Sequence, residues 1–401
     1  MGNDITYLDN AATSWPKPDE VGAAMLDFLA TKAGNPGRGG HTLSRRASQV
    51  LEDAREKLAK LINAPCTKRL VLTHGCTDAL NLAIHGVLQG AMRNCCDETQ
   101  FHVVTTAIEH NAVLRTIECY AASNLIDVTT VACDQQGYIH PQSLVDACTP
   151  NTILLTLSHA SNVLGTIQDI EHAIKAIRAH NEDILVLVDA AQTAGHFPID
   201  VERFDIDLLT LAGHKGLRGP TGTGALYVGP RAYPDECDRS RVFCQRRGGT
   251  GSMAPGLEMP TNLPDALEAG TSNAVGFAGL NAAIDALTNE VHEHEMKMTE
   301  RILDGLHEID SVTIYGLPSI AGRTPVVLFN IDGICARDVM VHLDKEYNIA
   351  VRGGVHCAPL LHIAIGTCEA GGVRVSPGSG TTEDQIDLFL DAIKKLATQS
   401  V

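Results

Sequence analysis

Aromatic residues are scarce in this sequence: they make up 4% of 401 residues, with a single Trp. A core built around large rings is thereby excluded, and Ala, Leu, Ile and Val must fill it. Positive charge is also short, since 31 Lys and Arg face 48 Asp and Glu, a formal net charge of −17. Phosphate backbones and anionic membranes need clustered cations, so neither nucleic acid nor a membrane surface is expected as an unaided partner. The substrate is expected to be small. No uninterrupted apolar run reaches membrane-spanning length, and Met1–Asn10 is too polar to read as a secretory signal. There are twelve cysteines but no Cys-x-x-Cys pair, and Cys95 and Cys96 are merely vicinal. Neither a disulfide framework nor a metal site is read from that spacing; reduced, mostly buried thiols in a cytoplasmic protein are expected.

What is present is an alternation of short apolar runs with amphipathic stretches. Leu70–Thr73, His102–Thr105, Ile153–Ser158, Ile184–Asp189, Leu208–Leu211 and Ala225–Val228 read as buried strands. Asp78–Leu88, Asn111–Ala121 and Asp169–His180 read as helices. That order predicts an α/β unit with a mostly parallel sheet, whose ligands sit beyond the carboxyl ends of the strands. Arg239–Pro264, rich in Gly, Pro and Arg, reads as an ordered loop. A long helical pattern starts near Ala274 and includes the charged run Glu290–Glu300. After it, strands near Val326–Asn330, Ile349–Val351 and Gly372–Val375 predict a smaller α+β unit. The division is drawn as 20–285 for the large domain and 1–19 with 286–401 for the small one.

Three features carry chemistry. Leu185–Val188 ends in Asp189, which alone reads as a loop-capping carboxylate; its other role is to keep a heterocyclic nitrogen protonated, as pyridoxal phosphate (PLP) requires. Roughly one strand later, Asp207–Ala212 leads into Gly213–His214–Lys215 and a Gly-rich segment, where a partly buried lysine can hold a carbonyl covalently. The third is His74–Gly75–Cys76–Thr77–Asp78, between a strand and a helix, where free amides and a hydroxyl suit either a plain N-cap or a phosphate.

Taken in order, these features resemble the class V aminotransferase family of fold-type I PLP enzymes, and within it the SufS-like group II cysteine desulfurases. The resemblance covers nearly the whole chain, through Tyr7–Ala12, Asn35–His41, Glu109–Asn111, Ser161–Gly165, Asp189–Gln192, Gly213–Lys215 and Glu268–Thr271. It implies a large domain with a seven-stranded, mostly parallel sheet flanked by helices, and a smaller α+β domain. It also implies roles. Lys215 would hold the cofactor, Asp189 the ring nitrogen and Gln192 the phenolic oxygen, while His110 would stack on the ring. Asn162 would contact cofactor or substrate. Thr77, His214 and the amide of Cys76 would bind phosphate, joined by Thr271 from a second subunit, which implies a homodimer. Ala212 stands where many relatives carry Ser, so one phosphate hydroxyl is expected to be absent.

The segment Ala350–Pro359 places Cys357 after a Gly-Gly loop, next to His356 and near Arg352. Cationic neighbours would lower the thiol's pKa. The resemblance makes Cys357 the persulfide cysteine on a short loop, and Arg374 the substrate-carboxylate ligand, with Arg352 nearby. Arg38 and His41 would lie near the entrance, and the basic patch Arg246–Arg247 reads either as a contact for a sulfur acceptor or as a solvated loop. The implied reaction converts L-cysteine to L-alanine and leaves sulfur on Cys357 for a small acceptor protein of the SufE or SufU kind. Iron–sulfur cluster assembly and tRNA thiolation are both open as destinations. Selenocysteine lyase shares the same residues, whereas aminotransferases and kynureninase-like hydrolases do not need Cys357. A silent scaffold or metal-binding protein on the same fold is a further rival, opposed by the co-occurrence of Lys215, Asp189, His110 and Cys357.

Overall fold

The computed structural model describes residues 5–37, 40–94, 100–235, 240–251 and 256–398. The chain opens with β1 (Thr6–Tyr7), α1 (Asp19–Thr31) and α2 (Thr42–Leu61). The alternating part follows: β2 (Leu70–Thr73), α3 (Cys76–Asn94), β3 (Phe101–Thr106), α4 (Asn111–Ala121), β4 (Ile126–Val131), α5 (Pro141–Asp146), β5 (Thr152–Ser158), α6 (Ile170–His180), β6 (Leu185–Asp189), β7 (Leu208–Ala212) and β8 (Gly224–Val228). These seven strands, β2 to β8, form one sheet in the order β2-β8-β7-β6-β5-β3-β4. Only β8 runs against its neighbours. The sheet is therefore mostly parallel, as the alternation predicts.

Why these runs become central strands follows from their residues. Leu155, Leu157, Val186, Val188, Leu209, Leu211, Ala225 and Tyr227 enter one hydrophobic cluster. Their neighbours Leu154, Leu185, Leu187, Leu208, Leu226 and Val228 enter another on the opposite face. Side chains alternate across a strand, so a run apolar at every position fills both faces at once. Helices then cover both faces. Aliphatic residues make up nearly all of both clusters, in keeping with the shortage of rings.

The C-terminal part holds α7 (Ala274–Asp285), α8 (Asn289–His307), β9 (Val312–Tyr315), β10 (Val327–Ile331), α9 (Ala336–Tyr347), β11 (Ile349–Ala350), β12 (Arg352–Gly354), α10 (Pro359–Ala364), β13 (Gly372–Val375) and α11 (Glu383–Thr398). A four-stranded antiparallel sheet, β12-β13-β10-β9, packs on a third cluster that includes Phe329, Phe389 and Ile393. The N-terminus returns to this part: β1 pairs with β11, and Asp9 bridges to Ser376.

Three expectations are corrected. The pattern after Ala274 is two helices, with Thr288 in extended backbone starting the second. The strand expected at Ile349–Val351 is split at Val351, where the chain leaves its pairing with β1 and turns to pair with β13. Helix α3 runs beyond Leu88, through Gly90, whose missing Cβ would lie 2.6 Å from the Arg241 carbonyl. That close approach is what the glycine permits. In the stretch to Pro264, Arg239 and residues 252–255 lie outside the described residues, and the rest forms neither helix nor strand. Among the described residues no helix is long and apolar enough to cross a membrane.

Candidate active site

The carboxyl ends of the parallel strands deliver the polar residues to one place. A cavity of about 740 Å³ opens there, lined by Cys76, Thr77, His110, Asn162, Asp189, Gln192, Ala212, His214, Lys215, Arg352, Cys357 and Arg374. Eleven of the twelve residues given roles from the sequence are thus gathered in one cavity, together with Ala212. Thr271 is the exception: it is exposed and lies in neighbouring grooves.

Asp189 ends β6 and is buried. Its Oδ1 accepts from the Ala191 amide at 2.9 Å, and the Cys76 thiol and Thr210 hydroxyl lie at 3.2 and 3.4 Å from the same oxygen. Burial, reinforced by the Asp189 charge, pushes the Cys76 thiol well above its usual range. Cys76 is therefore a neutral donor and not a nucleophile. Lys215 has its ammonium pKa lowered by burial, against the opposing pull of Asp189. A lysine so placed is closer to the neutral amine that covalent carbonyl chemistry needs.

His110 is the N-cap of α4, and its Nδ1 accepts from the Ala112 amide at 3.0 Å. The neutral ring must then carry its proton on Nε2. Burial and Lys215 hold its pKa down, so the neutral form is the resting one. Gln192 donates to the Ala11 carbonyl at 3.1 Å. Thr77 stands in the first turn of α3, where backbone amides are unpaired. His214 has a pKa lowered to about 4 by burial, then by Lys215 and Lys17, and its buried Nδ1 has no partner within the chain.

The set fits pyridoxal phosphate. A carboxylate stands ready for the ring nitrogen and a lysine for the aldehyde. A helix N-terminus and an orphaned imidazole nitrogen remain for the phosphate. His214 would contribute a hydrogen bond to the phosphate through its unpaired Nδ1.

The cysteine loop reaches the cavity from the other side. His356 and Cys357 both adopt left-handed backbone, with φ of 49° and 59°. Such residues cost on the order of 1 kcal/mol each and persist only when held. Here the Asn111 amide donates to the Cys357 carbonyl at 2.7 Å, and the Asn162 side chain donates to the His356 carbonyl at 2.7 Å. The thiol-bearing residue itself is exposed.

One expectation about this loop is overturned. His356 is not a cation beside the thiol: burial, then Arg374, pushes its pKa down to about 3. The ring is wedged between His362 Nε2 at 3.2 Å and the Arg352 carbonyl at 3.1 Å. Positive charge near Cys357 comes instead from Arg374, with Arg352 lining the same cavity. Arg374 is buried and donates to the Asn162 carbonyl at 2.9 Å and to Asp9 at 2.8 Å, leaving its Nε unpaired. Arg352, exposed, reaches the other Asp9 oxygen at 3.1 Å.

Asp9 was not singled out by sequence reasoning, although it stands in the quoted Tyr7–Ala12 motif. Glu109 was likewise quoted without a role. It is fully buried, accepts from Thr106, Ser158 and the Ser158 amide, and burial raises its pKa to about 7. Of the entrance residues, Arg38 lies outside the described residues, and His41 caps α2 from an exposed position. Arg246 pairs with Asp78 at 3.2 Å, so the basic patch is partly neutralised.

Comparison with known proteins places this geometry. The family model for aminotransferase class-V matches residues 6–389. A probable cysteine desulfurase of Methanothermobacter thermautotrophicus is 34% identical over 98% of this chain and 95% of its own length. A cysteine desulfurase of Haloferax volcanii is 32% identical over 97% of this chain and 88% of its own. Among solved structures, the apo cysteine desulfurase from Thermococcus onnurineus NA1 superposes with a TM-score of 0.86 at 28% identity, covering 99% of this chain and 96% of that one. The cysteine desulfurase CsdA from Escherichia coli gives 0.84 at 29% identity, covering 100% and 96%.

Proposed function

The chain belongs to the class-V aminotransferase family, with the fold of the type I PLP enzymes, and from that premise we propose that it is a cysteine desulfurase. L-cysteine and the Cys357 thiol would give L-alanine and a persulfide on Cys357. The observation that carries this reading is an exposed cysteine held by two hydrogen bonds to its loop at the mouth of a cavity floored by Lys215 and Asp189.

Bound pyridoxal phosphate supplies an electron sink for the carbon that loses its proton. The chain supplies the rest. Lys215 Nζ, with its lowered pKa, holds the cofactor and, once free, takes the α-proton. Asp189 keeps the ring nitrogen protonated, and Cys76 and Thr210 fix the carboxylate's direction. His110, with its proton on Nε2, is a proton source for the carbon that the sulfur leaves. Arg374 would bind the substrate carboxylate through the unpaired part of its guanidinium, while Asn162 fixes both that arginine and the cysteine loop. The Cys357 thiolate then attacks the substrate sulfur: an S–S bond forms, the Cβ–S bond breaks, and its electrons and a proton end on the carbon that becomes alanine's methyl group.

The same reading makes the enzyme a cytoplasmic homodimer in which Thr271 of one subunit completes the phosphate site of the other. Its exposure and its absence from the lining of its own cavity support this. It also implies the short-loop SufS-like group, the domain division at 285/286, and passage of the persulfide to a small acceptor protein serving iron–sulfur cluster assembly. The test is alanine released from L-cysteine in the presence of a thiol reductant. The wild type makes alanine and Cys357→Ala does not; equal rates from both would remove Cys357 from the chemistry.

A further inference from the structure

Apart from the cavity just described, one cluster of ligand-type side chains stands out. His196, in the turn that follows Asp189 and carries Gln192, meets His292 and Glu295 of α8. His292 and Glu295 are three residues apart and so share a face of that helix. One donor atom from each of the three lies within 4.8 Å of the others.

The cluster is not satisfied by its own hydrogen bonds. Glu295 is 5% exposed, and its Oε2 has no hydrogen-bond partner. The His196 Nδ1 stands 3.1 Å from that oxygen, but not in hydrogen-bonding alignment. The His292 Nδ1 is also buried without a partner. Converging, unaligned donors of this kind are costly unless something sits between them. Next to them is a cavity of about 20 Å³ bounded by His196, Glu295, Arg218, Gln192 and Lys215, room for one water.

We infer that His196, His292 and Glu295 form a binding site for a divalent cation of the zinc class, with water as the fourth ligand. Two imidazoles and one carboxylate are a known three-ligand set for zinc. Tetrahedral bonds of about 2.0–2.1 Å put donors about 3.4 Å apart, so the His196–Glu295 spacing already suits the ion. With all donors within 4.8 Å of one another, no pair needs to close by more than about 1.4 Å, within the reach of a side-chain rotation. Phe197 packs edge-on against the His292 ring at 4.8 Å between ring centres and limits its freedom. The ion would tie α8 to the turn that orients Asp189 and Gln192, on the far side of Lys215 from the main cavity. Its competitor is Arg218, whose charge acts on Glu295 and whose buried Nε is unpaired.

The test is zinc binding to the cofactor-loaded enzyme, without substrate, by competition with a chromophoric chelator, and cobalt(II) absorption of the same protein. One ion per chain is expected in the wild type and in Cys357→Ala. His292→Gln and Glu295→Gln are expected to lose roughly tenfold or more in affinity. Cobalt should give the visible bands of a tetrahedral nitrogen–oxygen site with no thiolate charge-transfer band. Equal binding by the wild type and both variants, or a thiolate band that disappears in Cys357→Ala, overturns the site. If a variant does not fold, the wild-type cobalt spectrum decides, and absence of its tetrahedral bands counts against the site.

Discussion

Asp9 joins two arginines from opposite ends of the burial scale, and replacing it by Asn separates their contributions. Arg374 is 2% exposed and its guanidinium lies 2.8 Å from the Asp9 carboxylate. Arg352 pairs with the same group at 3.1 Å, but its side chain is 46% exposed. Removing one partner of a buried pair leaves an uncompensated charge and costs about 3–5 kcal/mol, whereas an exposed pair contributes about 0–1 kcal/mol. Asn keeps one acceptor oxygen for Arg374, so about 3 kcal/mol is the expected loss for Asp9→Asn, and under about 1 kcal/mol for Arg352→Gln. Urea unfolding monitored by circular dichroism compares the two. With the charged partner replaced by a neutral acceptor, the Arg374 plane is held less firmly, so KM for L-cysteine should rise on the order of tenfold in Asp9→Asn. If the two variants lose the same stability and keep the wild-type KM, the reasoning that Asp9 positions Arg374 is wrong.

Three further predictions follow from the site. Lys215→Ala should lose the visible absorption of covalently held cofactor and at least about a thousandfold in alanine formation, while retained absorption would put the lysine elsewhere. Iodoacetamide at neutral pH should alkylate exposed Cys357 and spare Cys76, whose thiol is buried and raised in pKa; peptide mapping reads the difference, and prompt labelling of Cys76 contradicts it. Burial lowers His356 to about 3 and His159, His214 and His362 to about 4, from 6.5. Below pH 6.5 the unfolded chain therefore binds protons that the folded one does not, and stability falls as pH drops towards 4. Each histidine contributes a slope of up to about 1.4 kcal/mol per pH unit in that window. Stability flat between pH 6.5 and 4.5, measured by urea unfolding, would mean these rings are charged when folded.

The parts of the fold that could be read from sequence are those whose residues answer to burial alone. The runs Leu70–Thr73 and Leu185–Asp189 are apolar at nearly every position because both faces of the sheet are covered. The edge strands β4 and β9 do not announce themselves in that way, although β2, also at an edge, does. β4, Ile126–Val131, is buried only at its ends, and β9, Val312–Tyr315, has no fully buried position, so their patterns read as loop. The break between α7 and α8, Ala286–Thr288, carries no Gly or Pro to mark it. The residues that line the cavity could be picked out in the sequence because most sit in local motifs near strand ends. The Asp9–Arg374 pair and the His196–His292–Glu295 cluster were not, since they join residues 365 and 96 positions apart. His356 shows the reverse failure. Its place beside Cys357 was correct, but its charge depends on burial by Arg374 and His362, which no local motif records.

The central claim is that sulfur passes from the substrate to Cys357. After a single turnover of cofactor-loaded enzyme with L-cysteine and no reductant, mass spectrometry of the digested chain should find one added sulfur atom on the Cys357 peptide, with one alanine released per site. Alanine without that added sulfur, or sulfur added to another of the cysteines, would contradict the account.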